Sequence, residues 1–170
     1  KRISEIVNDL STHARDARTT GNSSINLNDI ADKSMEISKH TRNLSSVKVV
    51  KQYTDEAVVI GSSSELTQVI TNFVNNAVDA MNEEGKLWLI TKKSENECSI
   101  SVKDNGSGMD ETTQKKIFDP FFTTKEPGKG TGLGLHVVRK IIEKHEAKLE
   151  LKSKLGEGTT FTIMFPTAKK

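Results

Sequence analysis

A chain of 170 residues, 34% hydrophobic and 28% charged, has the length of one domain and the composition of a soluble globular protein. Its 25 basic and 23 acidic residues are mixed along the chain for a net charge of +2. That balance predicts neither a basic face for nucleic acid nor a direct membrane contact. The single cysteine, Cys98, excludes an internal disulfide and a thiolate zinc site. No apolar run approaches the roughly 18 residues of a membrane span, and no signal-peptide pattern opens the chain. It starts at Lys1 inside a helical pattern, so the expectation is a cytoplasmic fragment of a longer protein. Seven of the eight aromatic residues lie beyond residue 70, which leaves the first stretch a poor independent core.

Ile3, Ile6, Val7, Leu10, Ala14 and Ala17 recur at helical spacing and predict a charged helix with a narrow apolar stripe. The cluster TTGNSS breaks it like a linker. A second helix follows, with Asn28 as its N-cap and Ile30, Met35, Ile37 and Leu44 as apolar positions. VKVVKQY and AVVIG read as strands. Ser62 to Ser64 then offer caps to a helix whose wide apolar face runs from Leu66 to Val78 and which stops before NEEGK. KLWLITKK and CSISVKD are strands, DETTQKKIFDPFF is a short helix closed by Pro120, and TGLGLHVVRKIIEKH is a further helix. Two alternating strands, KLELKS and TTFTIMFP, finish the chain. The order predicts an α/β fold: a two-layer sandwich of a mixed, mostly antiparallel sheet with helices on one face.

Three stretches invite chemistry. PGKGTGLGL matches neither the P-loop nor the dinucleotide fingerprint. It runs straight into a helix, whose free N–H groups and dipole favour an anion; it reads equally as a surface loop ahead of a glycine-initiated helix. DNGSGM ends a strand with turn residues, yet no partner strand follows to make a hairpin. Asp104 there could accept a hydrogen bond from an exocyclic amine such as that of adenine. NFVNNAVDA sets Asn72 and Asn76 on one face of the strongest helix, with Asn75 and Asp79 to the sides. An amide oxygen suits a magnesium ion already holding phosphates and waters; it would equally bond neighbouring backbone.

Taken in order, the asparagine helix, DNGSG, IFDPFF, GTGLGL and GEGTTF resemble the N, first-glycine, F, second-glycine and third-glycine boxes of the sensor histidine kinase ATP-binding domain. IFDPFFTTK is most similar to the nitrogen-regulator branch. The resemblance covers about residues 25–166. It implies a catalytic ATP-binding domain over 25–170, a linker over 21–24, and the tail of the second dimerisation-hairpin helix over 1–20.

The resemblance also implies the site. Asp104 takes the adenine amino group with Thr159 beside it, while Gly106, Gly108 and Met109 line the base. Asn76 is the magnesium ligand, Asn72 lies near the phosphates and Asp79 beside them. Phe118, Phe121 and Phe122 anchor the hinge of a lid over about 119–130. Lys125 and Lys129 reach phosphate, and Gly130, Thr131, Gly132, Leu133 and Gly134 close backbone N–H groups on it. Asn72 and Lys125 are the catalytic candidates. Hydrolytic members of the wider family place a glutamate where Asn72 stands; an amide has no useful basicity, which favours transfer over hydrolysis.

The implied cofactors are ATP and Mg2+. The implied partners are a histidine-bearing dimerisation hairpin, a response-regulator receiver domain and a second copy of the parent chain. His13 lacks the acidic residue that follows the family's acceptor, and His40, His136 and His145 read as surface or packing residues. A serine/threonine kinase of the anti-sigma type and a nucleotide-dependent interaction module are the alternatives. Glu146 and Ala147 stand where the family has glycine, so the helix before them is expected to end differently.

Overall fold

The computed structural model describes residues 23–127 and 130–166. The helix and His13 read over residues 1–20 lie outside them. Helix α1 spans Leu27–Thr41, α2 Ser63–Ala80, α3 Glu111–Lys116 and α4 Gly134–Lys144. Strands are β1 Ser23–Asn26, β2 Ser46–Gln52, β3 Val58–Gly61, β4 Glu84–Lys93, β5 Glu97–Asp104, β6 Lys148–Lys154 and β7 Gly158–Pro166.

The main sheet has five strands in the order β2-β4-β5-β7-β6. Its pairs are antiparallel except β2 with β4, which run parallel. Leu87, Leu89, Ile100, Val102, Phe161, Ile163 and Phe165 point to one face and are buried. Helix α2 lies on that face against β4, β5 and β7, flanked by α1 and α4. Its apolar residues Leu66, Val69, Ile70, Phe73, Val74, Ala77 and Val78 are buried. Phe73 stacks on Phe161 with ring centroids 4.4 Å apart, tying α2 to the centre of the sheet. The other face carries Trp88, with the ammoniums of Lys86 and Lys103 at 4.7 and 5.0 Å from its ring centroid. This is the two-layer arrangement that the pattern predicts.

Several boundaries differ from the sequence reading: helix α1 ends at Thr41, short of Leu44, and α4 begins at Gly134 rather than Thr131. Ser23 and Ser24, placed in a linker, begin β1, which pairs antiparallel with β3; two short polar residues give no alternation to reveal a strand. Asn26 rather than Asn28 caps α1, accepting from the Asn28 N–H at 3.0 Å. The Asn28 carboxamide is spent elsewhere, donating to the Thr54 carbonyl and accepting from the Thr91 hydroxyl. Helix α3, capped by Asp110, stops at Lys116, short of Pro120.

A further difference concerns the end of α4. Glu146 adopts φ 51° in a left-handed turn of the Schellman type. Its N–H donates to the Glu143 carbonyl at 3.1 Å, and the Ala147 N–H donates to Ile142 at 3.2 Å. The helix therefore ends as a glycine-terminated one does, with a glutamate bearing the left-handed backbone.

Candidate functional site

Helix α2 organises the site along its C-terminal half. Ala80 comes first: its carbonyl accepts from the Ser107 N–H at 3.0 Å, which docks the loop after β5 onto the helix end. Asp104, last residue of β5, is 4% exposed. Its Oδ1 accepts from the Gly106 N–H at 2.8 Å and the Thr159 N–H at 3.3 Å, and Oδ2 is not used in these bonds. Burial pushes its pKa up, and the two backbone donors act the other way. An ionised oxygen left free in such a place is a strong acceptor for an amine.

Thr159 reaches Asp104 through its backbone; its hydroxyl bonds Ser153 Oγ at 2.9 Å. Ser153 also accepts from the Met109 N–H, and Met109 packs on the core. Gly108 has φ +64°, and a Cβ there would lie 1.9 Å from the Lys154 carbonyl oxygen. Its glycine lets the loop pass under the β6–β7 turn, where Gly156 donates to the Ser107 carbonyl at 2.7 Å. The requirement at Gly108 comes from protein packing.

Further back along α2, Asn76 Oδ1 accepts from Lys125 Nζ at 3.3 Å, and the same ammonium is ion-paired with Asp79 Oδ2. Arg42, which follows α1, donates Nε to Asp79 Oδ1 at 2.6 Å and Nη2 to Oδ2 at 3.2 Å. Burial would raise the Asp79 pKa; hydrogen bonds from Arg42 and Lys125 outweigh it and hold the carboxyl below its usual value. Asn72 comes last, its carboxamide against Gly134, where an added Cβ would stand 3.2 Å from Oδ1. Gly134 opens α4, whose N-terminus has no side-chain cap; uncapped helix N-termini favour anions.

The stretch at Phe121 and the stretch at Gly132 come back together. Phe121 has φ 67° and donates its N–H to the Gly132 carbonyl at 2.9 Å. A Cβ on Gly132, at φ +68°, would meet the Phe121 carbonyl carbon at 2.4 Å. Phe118 and Phe122 pack against the core, whereas Phe121 is 71% exposed and anchors nothing by burial. Thr131 Oγ1 accepts from the Leu133 N–H, and Gly130 lies beside Lys125 and Thr123. Lys129 lies outside the described residues. Arg42 is the residue that motif reading missed: it stands 37 positions from Asp79 and in no box. His136 Nδ1 faces the Phe118 carbonyl, and His145 Nε2 accepts from the Ser62 N–H, both in packing roles.

A sequence profile of the histidine kinase-, DNA gyrase B- and HSP90-like ATPases matches residues 61–169. The chain belongs to that family. Among curated relatives, the histidine-protein kinase AtoS of Escherichia coli is 37% identical over 84% of this chain and 23% of its own length. Sporulation kinase A of Bacillus subtilis is 33% identical over 97% and 27%. The catalytic domain of the histidine kinase ThkA superposes with a TM-score of 0.76 at 28% identity, covering 88% of this chain and 99% of that domain. The chain thus spans about a quarter of the length of the curated relatives it matches. Within this ATPase family fold, Asp104 and the Asn72–Asp79 segment stand on one helix–sheet seam. Among the described residues no helix is long and apolar enough to cross a membrane.

Proposed function

We propose that this domain binds ATP with magnesium and transfers the γ-phosphoryl group to a histidine on the dimerisation hairpin of a homodimeric parent kinase. The parent then passes it to an aspartate of a response-regulator receiver domain. The observation that carries this reading is the order of groups along α2. From Ala80 at the Asp104 loop, past Asp79 and Asn76 under Lys125, to Asn72 at the start of α4, the helix advances about 12 Å. A purine acceptor at one end and anion-favouring groups at the other suit a nucleotide laid along the helix.

Asp104 accepts from the adenine amine. Asn76 presents a neutral oxygen that already attracts an ammonium, which fits a metal ligand. No cluster of three or more His, Cys, Asp or Glu capable of holding a metal occurs among the described residues, so the ion arrives with the phosphates. When bound, magnesium neutralises charge on the phosphate oxygens. Lys125 and the N–H groups opening α4 steady the phosphate chain. The acceptor imidazole forms its N–P bond as the γ-phosphorus–bridging-oxygen bond breaks; ADP leaves and the imidazole N–H proton passes to solvent. Asn72 offers no base to activate water, which favours transfer over hydrolysis.

Calorimetry with Mg-ATP tests the reading. Binding is expected, and Asp104→Asn should weaken it about tenfold or more, the loss of a hydrogen bond to a charged group. Unchanged affinity removes the adenine assignment. Labelled ATP added with a histidine-bearing hairpin should yield an acid-labile phosphoprotein; an acid-stable product points to serine or threonine instead.

A further inference from the structure

We propose that Asp79 and Arg42 are a positioning pair that controls whether Lys125 is available to phosphate, so that a nucleotide has to win Lys125 from Asp79. This rests on the nucleotide reading above. The starting point is a conflict: Asp79 lies one helical turn beyond Asn76, where a carboxylate would repel a triphosphate. Here it is covered by two cations of different kinds. Arg42 forks onto both carboxylate oxygens and is fixed at the end of α1, where its N–H donates to the Ser38 carbonyl at 2.8 Å and Nη1 to the Thr41 carbonyl at 3.0 Å. A planar guanidinium held in this way is a permanent partner.

Lys125 is the opposite: a point charge on a flexible stem, carried by the lid segment. It touches Asp79 Oδ2 and Asn76 Oδ1 with the same ammonium. It therefore competes for the oxygen proposed to face a metal and is withheld from phosphate by the oxygen beside it. One displacement releases both. Arg42 stays behind, so Asp79 is never left without a counter-charge when Lys125 turns to the phosphates.

The 170-residue chain, its Asp79→Asn and Lys125→Met variants and the double variant are titrated with ATP in EDTA by calorimetry, with thermal melts alongside. Asp79→Asn should bind ATP about fivefold more tightly, the yield of a partly exposed ion pair no longer to be broken. In the Lys125→Met background the same change should alter affinity less than about twofold. Arg42→Lys, which keeps charge but loses the fork, should weaken ATP binding, and only while Lys125 is present. A tightening that persists without Lys125 reports removal of negative charge alone and overturns the pair, as does Asp79→Asn binding no better than the parent. Should Asp79→Asn lose its cooperative melt, the Arg42→Lys comparison with and without Lys125 decides, equal effects overturning the proposal. No ATP binding by the parent chain or by any variant in EDTA overturns this proposal, and no binding with added magnesium either overturns the nucleotide reading with it.

Discussion

Asp104 and Asp79 are carboxylates that their surroundings push in opposite directions. Burial raises Asp104 against two backbone donors, whereas Arg42 and Lys125 overcome burial at Asp79 and lower it. The consequences for stability differ in sign. With a raised folded pKa, Asp104 imposes no penalty below the ordinary carboxylate range, and stability is lost as pH rises from there through the raised value. Asp79 contributes stability above the ordinary value, which is lost only as pH falls through its lowered one. Asp104→Asn should therefore melt higher than the parent at neutral pH, the gain shrinking toward zero in acid, while its ATP affinity falls. A lower melting temperature at neutral pH would show that the charge of Asp104 is compensated within the fold. On the proposed adenine contact, ATP affinity of the parent should decline on acidification sooner than for an ordinary aspartate, because the raised pKa of Asp104 protonates the acceptor earlier.

At the scale of elements, α4 is bounded by two unusual ends. Its start has no side-chain cap. Its end places Glu146 in a left-handed turn at φ 51°, where a side chain costs roughly 1 kcal/mol. Glu146→Gly should recover part of that cost and raise the melting temperature by at most about 2–4 °C for a chain of this size. A fall instead would mean that the greater freedom of glycine in the unfolded chain outweighs the relief. The strongly periodic elements α1, α2, β4, β5 and β7 were legible because burial on one face writes itself into spacing. Strand β1 and the Asn26 cap were not: each depends on partners more than 25 residues away, Gly61 for the one and Thr54 and Thr91 for the Asn28 side chain that vacates the other. The parallel pairing of β2 with β4 leaves no local trace either.

Across the whole molecule, the Phe73–Phe161 stack joins the layer that carries Asn72, Asn76 and Asp79 to the sheet that ends in Asp104. Phe73→Ala should cost about 3–5 kcal/mol, read as a lower urea midpoint with the slope unchanged, with Trp88, the only tryptophan, as the fluorescent reporter. An affected slope would indicate that the layers no longer unfold together. The boxes are readable in the sequence because each is short and self-contained. The Arg42–Asp79–Lys125 linkage was invisible because three elements supply one residue apiece, and spacing says nothing about which loop returns to which helix.

The strap at Gly108 makes the DNGSG and GEGTTF segments one mechanical part. With Lys154 packed on Gly108, Gly156 bonded to Ser107 and Thr159 bonded to Asp104, the Asp104 corner is tied at three places to β6, β7 and the turn between them, whereas the Asn76 corner meets the rest of the site through Lys125 of the segment before α4. On the proposed nucleotide reading, change in residues 119–130 should accordingly retune how tightly phosphates are held, while discrimination of one base from another stays with the Asp104 corner.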